Sequence, residues 1–287
     1  MTRFLMTNAL SVAILTFGAV SEASAAPILW YHYGSSGPAG TLTDASGRGN
    51  NGTATGSTFV ANRPPNADLI PGVPLSAGAL SINGNFGSGG LTNASNIVTL
   101  PMIQANGGIT FETWLYRNAL NNNTSGIQVL LEIEAVGLFI ERDTNFVAWT
   151  NGEDSRILTN TGIGIGEWHH IAGVFDSGTN AIIGGSLQGS IRFYLDGSLI
   201  LSAPTRIGPI LDNLSRPTGI GRHPELGFET LNGLQFESRI SLGALRPNEL
   251  LLPAQAQAIP EPASIVLFGL GGLLLGAYRL RRNSGVA

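Results

Sequence analysis

Short runs of alternating apolar and polar residues recur along the middle of the chain. In "ITFETWLYR" the alternation places Ile109, Phe111, Thr113 and Leu115 on one face, which is the period-two pattern of a half-buried β-strand. "HHIAGVFD" and "IRFYLDGSLIL" follow the same pattern. Asp196-Gly197, which lies between two such runs, predicts a two-residue hairpin turn. The pattern therefore predicts antiparallel strands joined by tight turns.

Glycine- and asparagine-rich stretches such as "DASGRGNNG" and "SINGNFGSGG" separate these runs, and they are typical of turns. A helical period is brief and occurs near "LRPNELLL". Nothing in the pattern suggests alternating strands and helices. The fold class that follows is all-β, a two-sheet antiparallel jelly-roll sandwich.

The amino terminus has the pattern of an export signal. Arg3 precedes a mostly apolar run from Leu10 to Val20, and "SEASAAP" offers an A-x-A cleavage site at Ala23 and Ala25. We expect residues 1–25 to be a signal peptide that is removed after Ala25. An uncleaved anchor or a buried first helix is the alternative.

The carboxyl terminus predicts a single hydrophobic helix. The uncharged run 263–278 has about 16 residues, whereas a spanning helix needs about 20. Pro260, Glu261 and Pro262 precede this run, and three arginines that would hold its end on the cytoplasmic side follow it: Arg279, Arg281 and Arg282. Residues 253–258 form a linker rich in Ala, Gln and Pro. We expect transient membrane insertion, and a permanent single-span anchor is the alternative.

Composition narrows the function classes. The 287 residues carry 12% charged residues, a net charge of −4 and no cysteine. A weakly acidic chain with scattered positive charges has no electrostatic footprint for nucleic acid. The lack of cysteine excludes disulfides, thiol nucleophiles and thiolate metal sites.

The carboxyl-terminal pattern resembles a PEP-CTERM sorting signal, which residues 259–284 would form. The resemblance rests on Pro260-Glu261-Pro262, the apolar run and the terminal "RLRR", in that order. It implies a bacterium that makes extracellular polysaccharide, and an exosortase that cuts near the Pro-Glu-Pro. The expected location is the cell envelope, outer surface or extracellular matrix.

Residues 28–252 resemble the laminin G-like domains of the concanavalin A-like lectin/glucanase superfamily. The motifs are "DASGRGNNG", "GITFETWLYR", "GEWHHIAGVFD", "GSIRFYLDGSLIL" and "TGIGR". The chain departs from the family in "GLQFESRI", where Phe236 stands at an acidic position of the family pattern, while Glu237 and Arg239 are kept. Any role that depends on that acid, such as calcium ligation, is therefore in doubt.

Glu132 and Glu134 in "LLEIEAVG" are the candidate catalytic residues. Two residues apart on a strand, they would share a face, and glycosidic cleavage requires a pair of carboxyl groups. Jelly-roll glucanases carry a third acid nearby, which this chain lacks. The alternative is two solvent-facing glutamates on a sandwich strand.

Calcium is the candidate cofactor, with Asp44, Asn50 and Asn51 as oxygen ligands in the first turn. This assignment rests on the resemblance more than on spacing, and the alternative is that Asp44 caps its own turn. His169 and His170 are adjacent, so they would point to opposite faces of a strand, and zinc is unsupported.

Trp114 and Trp149 are the candidate sugar-binding residues, because an exposed indole can stack on the C–H face of a pyranose. The alternative is that both belong to the core.

Two functions compete, and a purely structural spacer is a third. The first is an exported, non-enzymatic surface or matrix protein whose sandwich binds polysaccharide or another surface partner. The second is a polysaccharide-degrading enzyme, a glucanase or lyase, that uses Glu132 and Glu134. The absent third acid favours the first.

Overall fold

The protein is described here by a computed structural model of residues 25–254, apart from positions 35, 96, 120–125, 135, 142–145, 152–155, 209–215, 226 and 228. Ala25 is the first described residue. Ala23, most of the linker and the whole expected sorting signal lie outside the described residues, including Pro260, Glu261, Pro262, Arg279, Arg281 and Arg282.

The described chain is built almost entirely of strands. The first nine are β1 (Pro27–Tyr31), β2 (Gly37–Pro38), β3 (Thr41–Leu42), β4 (Gly52–Thr55), β5 (Ser57–Val60), β6 (Ala79–Asn83), β7 (Gly89–Ser95), β8 (Gly108–Arg117) and β9 (Ile127–Ile133). The others are β10 (Val136–Glu141), β11 (Phe146–Asn151), β12 (Arg156–Asn160), β13 (Trp168–Asp176), β14 (Ile182–Ile183), β15 (Ser186–Leu195), β16 (Ser198–Ile207), β17 (Pro217–Ile220) and β18 (Asn232–Leu242).

These strands form two antiparallel sheets. In the described chain, the larger sheet has ten strands in the order β14-β15-β13-β8-β18-β6-β5-β2, with β1 beside β18 and β16 beside β15. The smaller has eight, in the order β12-β11-β10-β9-β17-β7-β4-β3. The predicted all-β, two-sheet jelly-roll sandwich is confirmed.

The main core lies between the two sheets. Ile109, Phe111 and Leu115 of β8 point into it, as the alternation predicted. The rings of Phe111 and Trp149 meet edge to face at 5.4 Å between centroids. Gly173 of β13 stands opposite them, and a methyl group there would lie 2.6 Å from Leu138 Cδ2. Leu138 and Trp149 therefore occupy the space that a side chain at this position of β13 would need.

A third layer covers the outer face of the larger sheet. It consists of segments 61–78 and 244–254, which contain short 3-10 helices at Ala67–Leu69 and Pro247–Glu249. Ala67, Ile70 and Leu250 pack there in a second apolar cluster with residues of the sheet such as Trp114 and Phe236. Both faces of β8 are consequently buried, although its sequence alternates.

Helical structure is scarce. The one α-helix in the described ranges, α1 (Leu100–Ala105), begins after Thr99, whose hydroxyl accepts the N–H of Met102 at 3.4 Å. Among the described residues, no helix has the length and apolar character needed to cross a bilayer. The apolar run expected to form such a helix lies outside them.

Candidate functional site

Glu132 lies on the outer face of the smaller sheet. Its neighbours Leu131 and Ile133 point into the core, so the alternation of β9 turns the carboxylate outwards. Its cross-strand partners are Gly137 on β10 and Gly219 on β17, which place no side chain beside it. Even so, Glu132 is only 1% exposed.

The cover over Glu132 comes from the segment that follows β17. A methyl group on Gly219 would collide with the carbonyl oxygen of Arg222 and with Pro224, so this segment folds back over the sheet at Gly219. It brings His223 Nε2 to 3.6 Å from Glu132 Oε1. The solvent-facing alternative for Glu132 is therefore wrong.

His223 faces Glu132 with a defined ring nitrogen. The backbone N–H of Glu225 donates to His223 Nδ1 at 3.0 Å, so the neutral ring carries its proton on Nε2, towards Glu132. Burial lowers the pKa of His223, and Glu225 opposes this effect. At neutral pH the imidazole is thus an uncharged hydrogen-bond donor.

Glu134 occupies the hairpin turn after β9 instead of continuing the strand, with φ of 44°. Its Oε1 accepts the N–H of Arg216 at 3.0 Å, and its Oε2 lies 3.5 Å from Arg216 Nε. Burial raises the pKa of Glu134, while Arg216 opposes the rise. Glu134 is buried as well, so the alternative of a solvent-facing glutamate is wrong for this residue too. The expectation that both glutamates lie on one strand is also wrong, because Glu134 lies in the turn.

Arg216 also pairs with Glu225, so it joins Glu134 to the segment that carries His223. Glu134 and Arg216 therefore hold the cover in place over Glu132. The two acids singled out in the sequence meet in one polar cluster through residues 216–225.

Phe86 is an exposed aromatic residue beside this cluster. It lies in the loop between β6 and β7, and 78% of it is exposed. Arg222 Nη1 donates to the carbonyl of Gly87 at 2.6 Å, and the N–H of Gly87 donates to the carbonyl of Gly227 at 2.6 Å. We define the Phe86 site as Phe86, Arg222, His223 and Glu225. Sequence reasoning missed it, although a phenylalanine inside the turn "SINGNFGSGG" was a signal.

Trp114 and Trp149 do not form the expected exposed platform. Trp149 is fully buried between the sheets, and Trp114 is 7% exposed beneath the third layer, where its Nε1 donates to the carbonyl of Leu251 at 2.7 Å. Both indoles serve packing, so that prediction is corrected. The tryptophans that stay partly exposed are Trp30 and Trp168.

The carboxylate of Asp44 accepts four hydrogen bonds. Its Oδ1 accepts the N–H groups of Trp30 and Ser46, and its Oδ2 accepts the hydroxyl of Ser46 and the N–H of Asn50. The side chains of Asn50 and Asn51 bond to backbone groups of Ile28 and Asp44. This arrangement fits turn capping. A calcium ion would have to displace these donors, and calcium binding stays a prediction.

In the described part of the chain, no three His, Asp or Glu side chains lie close enough together to hold a metal ion. His169 and His170 point to opposite faces, as expected. His169 Nδ1 lies 2.9 Å from Asp196 Oδ2, whereas His170 Nε2 lies 3.0 Å from Glu112 Oε2.

Residues 88–251, more than half of the chain, match the family model described as the concanavalin A-like lectin/glucanases superfamily. The chain belongs to this superfamily. Phe86, which stands two residues before the matched range, is therefore outside the part of the chain that the family pattern covers. A search among curated proteins gave no match.

A second match covers the end of the chain. Residues 258–282 match the PEP-CTERM protein-sorting motif, so the expected sorting signal is confirmed. The motif implies export, processing by an exosortase and a cell-surface-associated protein.

Two solved structures share the fold of this superfamily member. One is domain 4 of a GH43 extracellular arabinanase from Geobacillus stearothermophilus, in complex with arabinotriose, with TM-score 0.50 and 17% identity over 82% of this chain and 98% of that one. The other is the binding domain of botulinum neurotoxin serotype G, with TM-score 0.51 and 16% identity over 81% of this chain and 50% of that one. At these identities the likeness concerns the fold alone.

Proposed function

We propose that the protein is an exported, non-enzymatic surface protein whose sandwich binds extracellular polysaccharide at the Phe86 site. The observation that carries the proposal is the exposed ring of Phe86, 78% open to solvent, in a loop where Arg222 bonds to the carbonyl of the next residue, Gly87. A ring this exposed offers a face on which a ligand can stack.

The chemistry of the Phe86 site suits a sugar. An aromatic face packs against the C–H groups of a pyranose or furanose ring. Arg222 supplies N–H donors and Glu225 supplies carboxylate oxygens, so donors and acceptors for hydroxyl groups stand together. Sites of this kind combine an apolar contact with a few placed polar groups.

Two of the comparisons support polysaccharide binding at the cell surface. The arabinanase domain of similar fold was determined with arabinotriose bound, and the PEP-CTERM motif implies a cell-surface location. We therefore propose extracellular polysaccharide of the producing cell as the ligand.

The rival function is glycan hydrolysis with Glu132 as an acid or base. It is favoured by the buried position of Glu132 opposite His223 Nε2. The second acid that hydrolysis requires is the weak point, because Glu134 is held by Arg216 in the hairpin turn and Glu225 pairs with the same arginine. These pairings support a structural role for both.

The test measures the affinity of the purified full chain, in mild detergent, for polysaccharide recovered from the producing cells. Phe86→Ala should weaken binding about tenfold, because it removes the stacking ring and leaves the fold intact. The matched control is Leu75→Ala, which removes a side chain of similar exposure, 76%, without a ring. Equal effects of the two changes, or no binding by the unaltered chain, would contradict the proposal.

A further inference from the structure

Trp168 and Tyr116 form an aromatic pair on the outer face of the larger sheet. They are direct cross-strand partners on β13 and β8, with ring centroids 5.5 Å apart and planes inclined by 57°. Their face is the one that carries Trp114 and His170, since those residues lie two positions away on the same strands. The third layer buries Trp114 and His170, but it leaves Trp168 and Tyr116 partly exposed.

The pair has polar groups at its rim. Trp168 Nε1 donates to Oδ1 of Asn62 at 3.2 Å, and Asn62 is itself exposed. The Trp168 ring is braced from the side by Phe236, whose ring centroid lies 6.4 Å away. A braced, partly exposed ring with an amide beside it is preorganised for a flat, hydroxylated ligand.

The position of the pair relates it to the Phe86 site. Cross-strand register places Trp168, Tyr116, Leu234 and Ser81 in one row across β13, β8, β18 and β6. Three strand spacings of about 4.8 Å make this row about 14 Å wide. Strand β6 ends at Asn83, two residues beyond Ser81, and Phe86 follows in the next loop. Both aromatic features therefore lie at the same end of the sandwich, the pair on the outer face of the larger sheet and the Phe86 site beside the segment that covers the smaller sheet.

We infer that Trp168, Tyr116 and Asn62 form a second sugar-binding site, and that one polysaccharide chain passes round this end of the sandwich and contacts both sites at once. The inference rests on the proposed function, because it takes the Phe86 site as the first contact. The ligand class is then an extended internal segment of a polymer, rather than a monosaccharide or a chain end. Two linked contacts raise the affinity for a long chain by effective concentration, without any new interaction.

The test compares size-fractionated pieces of the same polysaccharide. Trp168→Ala should weaken binding of long pieces about three- to tenfold and should leave the shortest pieces, which reach one site alone, bound at Phe86 almost as before. The matched control is Ile165→Ala, which removes an exposed apolar side chain three residues away and should change neither. Urea unfolding of each variant checks the fold, and Trp168→Phe, which keeps a ring, should retain part of the affinity.

The outcomes separate the two proposals. If Phe86→Ala lowers the affinity for long pieces and Trp168→Ala does not, the second site is overturned and the proposed function stands. Loss with Trp168→Ala and none with Phe86→Ala would support the aromatic pair as a site and contradict the Phe86 site together with the two-contact claim. Equal loss for short and long pieces, or an equal effect of Ile165→Ala, would overturn the inference.

Discussion

The carboxylate of Glu112 accepts the backbone N–H of Leu251 at 2.7 Å, although 139 positions separate the two residues in the sequence. Arg239 Nε also donates to Glu112 at 2.6 Å, and His170 Nε2 lies 3.0 Å from it. Burial acts to raise the pKa of Glu112, but the charge of Arg239 and the contact with His170 outweigh it and hold the pKa below its ordinary value. Glu112 thus fastens the carboxyl-terminal segment of the domain to the larger sheet as a buried anion.

We predict that Glu112→Gln destabilises the fold by about 3 kcal/mol, because it leaves the largely buried guanidinium of Arg239 without its carboxylate. Urea unfolding of both forms measures the change. The control is Glu167→Gln, whose side chain is 74% exposed and which should change the free energy of unfolding by less than about 0.5 kcal/mol. Similar values for the two variants would contradict the role given to Glu112.

Trp149→Ala should cost about 3–5 kcal/mol of stability, since it opens a cavity between the sheets beside Phe111. The molecules that remain folded should bind polysaccharide with unchanged affinity. Thermal unfolding and binding measured on the same preparation check both statements. A selective loss of binding with full stability would restore the sugar-stacking role that the buried position of Trp149 opposes.

Asp44→Ala should destabilise the protein by about 2 kcal/mol, because four donors lose their shared acceptor. The capping arrangement further predicts that adding calcium, or removing it with a chelator, shifts the melting temperature by less than about 1 °C. A clear stabilisation by calcium that disappears in Asp44→Ala would instead establish the calcium site expected from the family resemblance.

The pair formed by His169 and Asp196 predicts a pH dependence. The hydrogen bond that His169 makes to the carboxylate of Asp196 is the largest influence on His169, and it raises the pKa of the imidazole. Burial would raise the pKa of Asp196, but His169 and the N–H of His170 lower it overall. The stabilisation by His169 is complete below about pH 6.5 and is lost as the pH rises through its higher folded pKa. That of Asp196 is complete above about pH 3.9 and is lost as the pH falls through its lower folded pKa.

The contribution of this pair should therefore be largest between about pH 4 and 6.5, at no more than about 1 kcal/mol for a partly exposed pair. His169→Gln should flatten the fall in stability above pH 6.5. Asp196→Asn, which suits the left-handed turn at φ of 49°, should flatten it equally. Urea unfolding at several pH values measures the slope, and an unaltered slope in both variants would contradict the pairing.

The sandwich could be predicted because its strands follow local rules. The alternation in β8 placed Ile109, Phe111 and Leu115 correctly in the core. The Asp196-Gly197 turn was also correct, since β15 ends at Leu195 and β16 begins at Ser198. Both features depend on residues within a few positions of each other, which a pattern can reveal.

The third layer and the polar cluster could not be predicted in this way. Nothing in the local sequence pattern marks Glu112, His170 and Arg239 as buried. The distant segments 61–78 and 244–254 cover the sheet face on which they lie. Glu132 is covered for the same kind of reason, by residues some ninety positions later in the sequence. Burial that arises from such remote contacts leaves no periodic signal.

Polysaccharide binding without hydrolysis is tested most directly by incubating the full chain with polysaccharide from the producing cells and measuring retained protein and released reducing ends in the same sample. We predict retention that falls with Phe86→Ala and no release of reducing ends by the unaltered chain. Release of reducing ends that Glu132→Gln abolishes would contradict it and would identify the protein as a glycan hydrolase.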